Sequence, residues 1–243
     1  MTKMGKLALC STVLLACSGS AWAQDWSPYW AIGAQGFHAG DSAQHDSVYT
    51  IKAPDAQSSL RDGEGKLELL VHDKPVANLS DYAGALNLIE ASWSSDSQAV
   101  FVNTSDGGDG GTWTTHVFVL ENGAAREIPV ATAVSSATKI KSDCIHNLGS
   151  SAWLEGHSQL LVIEQVPAGG CGSGGATAGY VLDVAGNKVT RTLSAKELKS
   201  DYAKYVGASP IANMSTVAEK PAPKKGKAKP KAKGEDKEKS SDA

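Results

Sequence analysis

Short apolar runs divided by polar or glycine-bearing turns dominate the middle of this chain. SVYTIK (47–52), KLELLVHD (66–73) and ALNLIEASW (85–93) read as strands, and their close spacing predicts an all-β domain. In AVFV (99–102), Val100 and Val102 fall on one side of a strand while Ala99 and Phe101 fall on the other. HVFVL and LLVI are also apolar on both faces, as strands lying between layers are.

A longer pattern overlies the short one. Trp93 opens a polar turn, the strand AVFV, the loop SDGGDGG (105–111), the strand HVFVLENG and a turn into REI. Trp153 opens a second copy: LLVIEQV, the loop PAGGCGSGGA (167–176), GYVLDVAGN and KVTRTL. The tryptophans are 60 positions apart (153 − 93), and Phe118 and Tyr180, in matching strands, are 62 apart (180 − 118). Such self-similarity marks a repeated β-meander. Asp62-Gly63-Glu64-Gly65 before KLELLVHD and PVANL resembles the second half of a further unit. Asn122-Gly123 and Gly186-Asn187 supply the positive-φ residues that tight hairpins need.

WSSDSQAVFVNTSDG followed by HVFVLENGAAREI resembles one blade of the propeller repeats of TolB-type and WD40-like bacterial envelope proteins. Trp93-Ser94-Ser95-Asp96 matches their W-S-x-D-G start, with Ser97 in place of the glycine. Trp153-Leu154-Glu155-Gly156-His157 departs further, and the resemblance covers about half of the chain after residue 23. It implies a binding or scaffold role in the cell envelope. Two or three units cannot close a ring of at least four blades. The expected fold is therefore all-β: repeated antiparallel meanders in a partial propeller-like stack or sandwich, or one piece of an oligomeric ring. One short C-terminal helix is added over 195–205, where Ser194 and Glu197 form a capping box and Leu198, Tyr202 and Tyr205 share a face.

The two ends differ from this body. Lys3 and Lys6, an apolar stretch over 7–16 and Ala21-Trp22-Ala23 read as a secretory signal over 1–23. Leu14-Leu15-Ala16-Cys17 offers the alternative of a lipid anchor on Cys17. The expected location is periplasmic or secreted, with a globular domain over 24–206 and a disordered tail over 207–243. From Lys220 the tail has no aromatic, β-branched or leucine residue, too little apolar surface to offset ordering. Its nine lysines and four acids give +5, whereas residues 24–219 hold 12 basic and 22 acidic residues, −10. The tail is read as a solvated segment; contact with an anionic surface is the functional alternative.

Cysteine usage and acidic loops supply the remaining chemistry. Cys144 and Cys171, the two cysteines beyond the signal, are expected to pair in an exported protein. Asp106 and Asp109 offer oxygen ligands for calcium, but the loop lacks the alternating acids and closing glutamate of an EF-hand, and a turn is the simpler reading. His38, Asp41 and His45 would share a face if helical, a metal-ligand arrangement that Gly40 and Ser42 disfavour. Gly170-Cys171-Gly172-Ser173-Gly174 sets its serine one place late for a nucleophile elbow. Trp26, Tyr29, Trp30 and Phe37 suit either an interface or a strand packed on the core. The expectation is a non-catalytic protein without a cofactor, possible as a homo-oligomer, that binds a protein or other envelope macromolecule through Asp106, Asp109 and Trp113 and the Cys171 loop. The alternative is a periplasmic hydrolase or metal enzyme using His38, Asp41 and His45.

Overall fold

The computed structural model describes residues 29–38, 48–63, 66–80, 88–105, 112–140, 145–167 and 174–216. Within them the chain forms three antiparallel meanders. Unit 1 holds β2 (Tyr49–Lys52), β3 (Ser58–Gly63), β4 (Lys66–Val71) and β5 (Lys74–Asn78). Unit 2 holds β6 (Leu88–Trp93), β7 (Ala99–Ser105), β8 (Trp113–Glu121) and β9 (Ala124–Ile128), and β1 (Gln35–His38) pairs antiparallel with β6 at its inner edge. Unit 3 holds β10 (Asn147–Glu155), β11 (Gln159–Gln165), β12 (Thr177–Asp183) and β13 (Lys188–Ser194). The sheets are open and no barrel closes among the described residues.

The two-faced strands place the units in a stack. Val100 and Val102 pack with Leu60 and Leu69 of unit 1, while Ala99 and Phe101 pack with Leu160 and Val162 of unit 3. Every residue of β7 is buried, as burial on both faces requires. Leu161 and Ile163 turn the other way, against Trp30, Leu198, Val206 and Met214. Unit 3 is thus covered by the chain's own terminal segments. Unit 1 ends the stack with the alternation expected of a half-exposed sheet, buried at Ser58, Leu60 and Asp62 and open at Ser59 and Arg61.

The repeated tryptophan fastens each unit to the one before it. The Trp93 indole N–H donates to Ile51 O at 3.2 Å, and that of Trp153 donates to Ser92 O at 3.0 Å. Ser94 and Asp96 close the turn that follows: the Ser94 hydroxyl donates to Asp96 Oδ1 at 2.6 Å and accepts from Ala99 N–H at 2.9 Å. Asp96 then reaches His157 Nδ1 of unit 3 at 2.7 Å. Against a burial penalty, the Ser94 hydroxyl, His157 and the Gln98 amide hold the Asp96 carboxyl down at about 2. Ser97, where the repeat family has glycine, takes φ +62°, and its hydroxyl accepts from Asp55 N–H of unit 1 at 3.0 Å.

Unit 1 is complete, where the sequence suggested only half of it. Its Asp55-Ala56-Gln57 turn repeats Asp96-Ser97-Gln98: Ala56 sits at φ +60°, Ala53 N–H donates to Ser58 O and Ala56 N–H to Ala53 O, as Ser94 N–H does to Ala99 O and Ser97 N–H to Ser94 O. Lys52 occupies the tryptophan's place, and among the described residues no meander precedes it to receive an indole. Asn122 and Gly123 take the expected positive φ at the β8–β9 turn; in the matching turn Asn187 does so and Gly186 does not.

The helical content exceeds the single helix expected. The capping box is present and starts α2 (Ala195–Asp201), followed by a 3₁₀ turn at Ala203–Tyr205, with Leu198 buried and Tyr202 and Tyr205 packed beside it. α1 (Val130–Ala137) precedes it in sequence, burying Val130, Ala133 and Val134 at helical spacing behind Pro129. α3 (Ala208–Thr216) extends the folded body beyond 206, with Pro210 and Met214 buried. The lysine-rich segment lies outside the described residues, as does the 1–23 segment with Cys17.

One side chain ties the N-terminal segment down. Glu90, fully buried in β6, accepts the backbone N–H groups of Tyr29, Trp30 and Ala31 at 3.0, 3.0 and 2.6 Å. Trp30 is thereby laid against Gly149, where a Cβ would lie 2.2 Å from its ring, and Gly207, where one would lie 2.3 Å from Tyr29 O. The Ser151 hydroxyl lies 2.8 Å from the carbonyl oxygens of both Trp30 and Tyr205. Ala31 bridges Val206, so both ends of the body meet over unit 3.

Replacing Trp93 or Trp153 by Phe removes one inter-unit hydrogen bond and keeps most of the ring, so each should lower the unfolding free energy by about 1 kcal/mol in urea melts. Glu90 gives a pH signature: burial pushes its carboxyl up to about 7 against the three amides that lower it. A folded value above the unfolded one means the folded state holds the proton more tightly, so stability falls as pH rises from about 4.5 to 7 and is flat above. The difference in unfolding free energy between wild type and Glu90→Gln should shrink or reverse over that window, measured by melts at constant ionic strength.

Candidate functional site

The two long glycine loops leave the stack side by side. Ser105 pairs with Trp113 at the root of one, and Gln165 with Thr177 at the root of the other. Trp113 N–H donates to Asn147 Oδ1 at 3.0 Å, and Asn147 is the strand partner of Gln165. Further in, Asn103 of unit 2 exchanges two hydrogen bonds of 2.8 Å with the Ser150 backbone of unit 3, and the Thr115 and Ser150 hydroxyls meet at 2.7 Å. The roots are therefore fixed relative to each other.

Between them opens a pocket of ≈ 540 Å³, bounded by β8, the end of β9, α1 and the start of β10. Its wall is apolar, with Ile128, Pro129, Val130, Val134 and Leu148. Two histidine–carboxylate pairs face it: His116 Nδ1 with Glu127 Oε1 at 3.1 Å and His146 Nδ1 with Glu164 Oε1 at 2.5 Å.

Glu164 is a carboxylate buried in an apolar strand, which is costly without partners. It accepts from the Thr138 hydroxyl at 2.6 Å and the Tyr180 phenol at 2.5 Å, in addition to His146. Burial first, and then the Glu164 hydrogen bond, push the Tyr180 phenol well above its usual value, so it stays protonated as a donor. Burial pulls His116 below the ordinary histidine range despite the opposing pull of Glu127, which favours its neutral form. What the arrangement offers is a preorganised apolar hollow with one carboxylate, Glu127, at its edge and a second, Glu164, held by three partners in its floor.

The residues singled out from sequence are distributed differently. Trp113 does not project from the loop: it is 3 % exposed, stacks on Tyr29 at 4.6 Å between ring centres and meets Trp30 edge-on at 6.1 Å. Its role is to close the core, because an aromatic at the first paired position of β8 falls on the buried side. Tyr29 and Trp30 also belong to the packed segment rather than a free surface. Asp106, Asp109, Asp41, His45, Cys144 and Cys171 lie outside the described residues, and the backbone of His38 ends β1. Among the described residues no group of three or more His, Cys, Asp or Glu could hold a metal ion.

The sequence reading missed His116, Glu127, His146, Glu164, Thr138 and Tyr180. The available signal was Glu164 itself, a charge within LLVIEQV on a strand apolar on both faces. Glu164→Gln should lower the unfolding free energy by about 2 kcal/mol, since at least one buried donor then faces the amide NH₂. In alkaline spectrophotometric titration the same change should bring the late-ionising Tyr180 down towards the other tyrosines.

No family model matches the chain, and no curated protein and no solved structure matches it.

Proposed function

We propose that this chain is an exported, non-catalytic protein of the bacterial envelope that binds another macromolecule through the loop end of its stacked meanders. The observation that carries the reading is the joining of the two loop roots by the Trp113–Asn147 bond and the Asn103–Ser150 exchange. Loops mounted on a rigid β scaffold are the usual means of such recognition. The polar groups of the pocket agree with it: Glu164 is occupied by three donors and Tyr180 is held protonated, an arrangement suited to holding shape rather than cycling protons. The resemblance to TolB-type repeats and the signal-like start point the same way. No helix among the described residues is long and apolar enough to cross a membrane.

The test is affinity capture from envelope extracts with the full chain, compared with a variant in which residues 106–111 are replaced by Asn-Gly. A defined partner retained by the wild type and reduced at least tenfold in the variant, with unchanged thermal unfolding, is the expected outcome. Equal capture by both proteins would reject the loop, and a stoichiometric metal lost on replacing His38 and His45 by Ala would establish the enzyme reading instead.

A further inference from the structure

One polar atom in the lining of the hollow has no partner among the described residues. Glu164 in the floor accepts from the Thr138 hydroxyl at 2.6 Å and the Tyr180 phenol at 2.5 Å, both on Oε2, and meets His146 Nδ1 at 2.5 Å through Oε1. A carboxylate that takes two O–H donors on one oxygen is the acceptor of the third bond too, so His146 carries its proton on Nδ1. In the neutral ring Nε2 is then a lone-pair acceptor. With Nδ1 turned to the floor, the far edge of the ring, Cδ2 and Nε2, points away from it, and the side chain is 25 % exposed where it lines the hollow. Among the described residues His146 has no second partner.

The other polar groups of the lining are engaged. His116 has Nδ1 at 3.1 Å from Glu127 Oε1 and Nε2 at 3.5 Å from Thr114 Oγ1, and the Thr115 hydroxyl meets that of Ser150 at 2.7 Å. Charged ligands find no match here. Among the described lining residues no lysine or arginine receives an anion, and a cation gives up its hydration for carboxylates that already have partners. The remaining wall, with Ile128, Pro129, Val134 and Leu148, is apolar. At ≈ 540 Å³ the hollow lies within the range of about 300–1,000 Å³ of small-molecule sites, which pair an apolar wall with a few placed polar groups.

We propose that this hollow binds a small uncharged molecule, apolar over most of its surface and bearing a hydroxyl group, whose O–H donates to His146 Nε2. The wall supplies the apolar burial, and the imidazole sets orientation and selects the chemistry. A hydrocarbon of the same shape leaves Nε2 without a partner, which is costly once water is displaced. A carboxylate in the same place meets a lone pair and two glutamates. The site is built from β8, β9, α1, β10, β11 and the residues flanking them, so it stands apart from the loop-borne recognition proposed above.

NMR titration of the full ¹⁵N-labelled chain with p-cresol, toluene and p-toluate tests this, at about pH 8, where an ordinary histidine is neutral and a phenol still protonated. p-Cresol should bind saturably, with shifts centred on the amides of Val130, Val134 and Leu148, and at least ~5-fold more tightly than toluene, the worth of one hydrogen bond. p-Toluate should show no saturable binding. The His146 Nε2 resonance should move with p-cresol and stay in place with toluene. His146→Phe keeps a ring in the wall and removes the acceptor, and should bring the two affinities within about twofold. Ala131→Trp, which fills the hollow from the exposed side of α1, should abolish binding of both. Failure of p-cresol to saturate, equal affinity for p-cresol and toluene, saturable binding of p-toluate or shifts centred elsewhere overturns the proposal, as does a p-cresol advantage that survives His146→Phe. The wild-type comparison of the three probes is decisive even if either variant folds poorly.

Discussion

The stack depends on a carboxylate that has no water to turn to. Glu90 sits fully buried in the inner strand of the middle unit, and its oxygens are met by three consecutive backbone amides of residues 29–31. Burying a carboxyl group costs free energy unless hydrogen bonds replace its hydration, and even with three amides burial still raises Glu90 to about 7, so the carboxyl and the N-terminal segment each require the other. Fixing these amides fixes Trp30 over Gly149, and with it the cover on Leu161 and Ile163. Strands apolar on both faces hold together only when both faces are covered. Glu90 secures the last cover from one unit away.

That arrangement answers how three units remain open without closing a ring. A stacked repeat exposes an apolar face at each end unless the terminal elements differ from the rest. Here unit 1 carries the Arg61–Glu68 ion pair at 2.7 Å on its outer face, and Lys52 stands where the other two units have tryptophan. Unit 3 is closed by residues 29–31, α2, Val206 and α3. The sheet faces of the stack are thus completed from within the chain, and β1 pairs along the inner edge of unit 2.

The sequence revealed what is periodic and local. Two-sided apolar strands, paired tryptophans, Asn122-Gly123 and the Ser194/Glu197 box all carry their meaning within a few residues, and the structure bears them out. Half of unit 1 escaped because its marker is missing: with Lys52 in the tryptophan's place, only Asp55 and Gln57 repeat Asp96 and Gln98. The burial of Trp113 is not legible locally because its partners, Tyr29, Trp30 and Asn147, lie far away in sequence. The Glu164 network joins residues from α1's end, β10's approach, β11 and β12, which no local pattern connects. Yet Ile89-Glu90 and Ile163-Glu164 each set an ionisable group in an apolar strand, where burial calls for hydrogen-bond partners from elsewhere in the chain.

Those two glutamates also divide the labour of the molecule. Glu90 holds the cover of the stack, while Glu164 ties the connection after α1, through Thr138 and His146, to the strand pair that carries the second glycine loop. The first loop is bound to the same place by Trp113 and Asn147. Strand pairing reaches Ser105–Trp113 in one hairpin and Gln165–Thr177 in the other, where Val166 continues it with Ala176 and Gly175, so the scaffold determines where each loop starts and ends. The cross-links between units 2 and 3 keep the separation of the two loop roots constant.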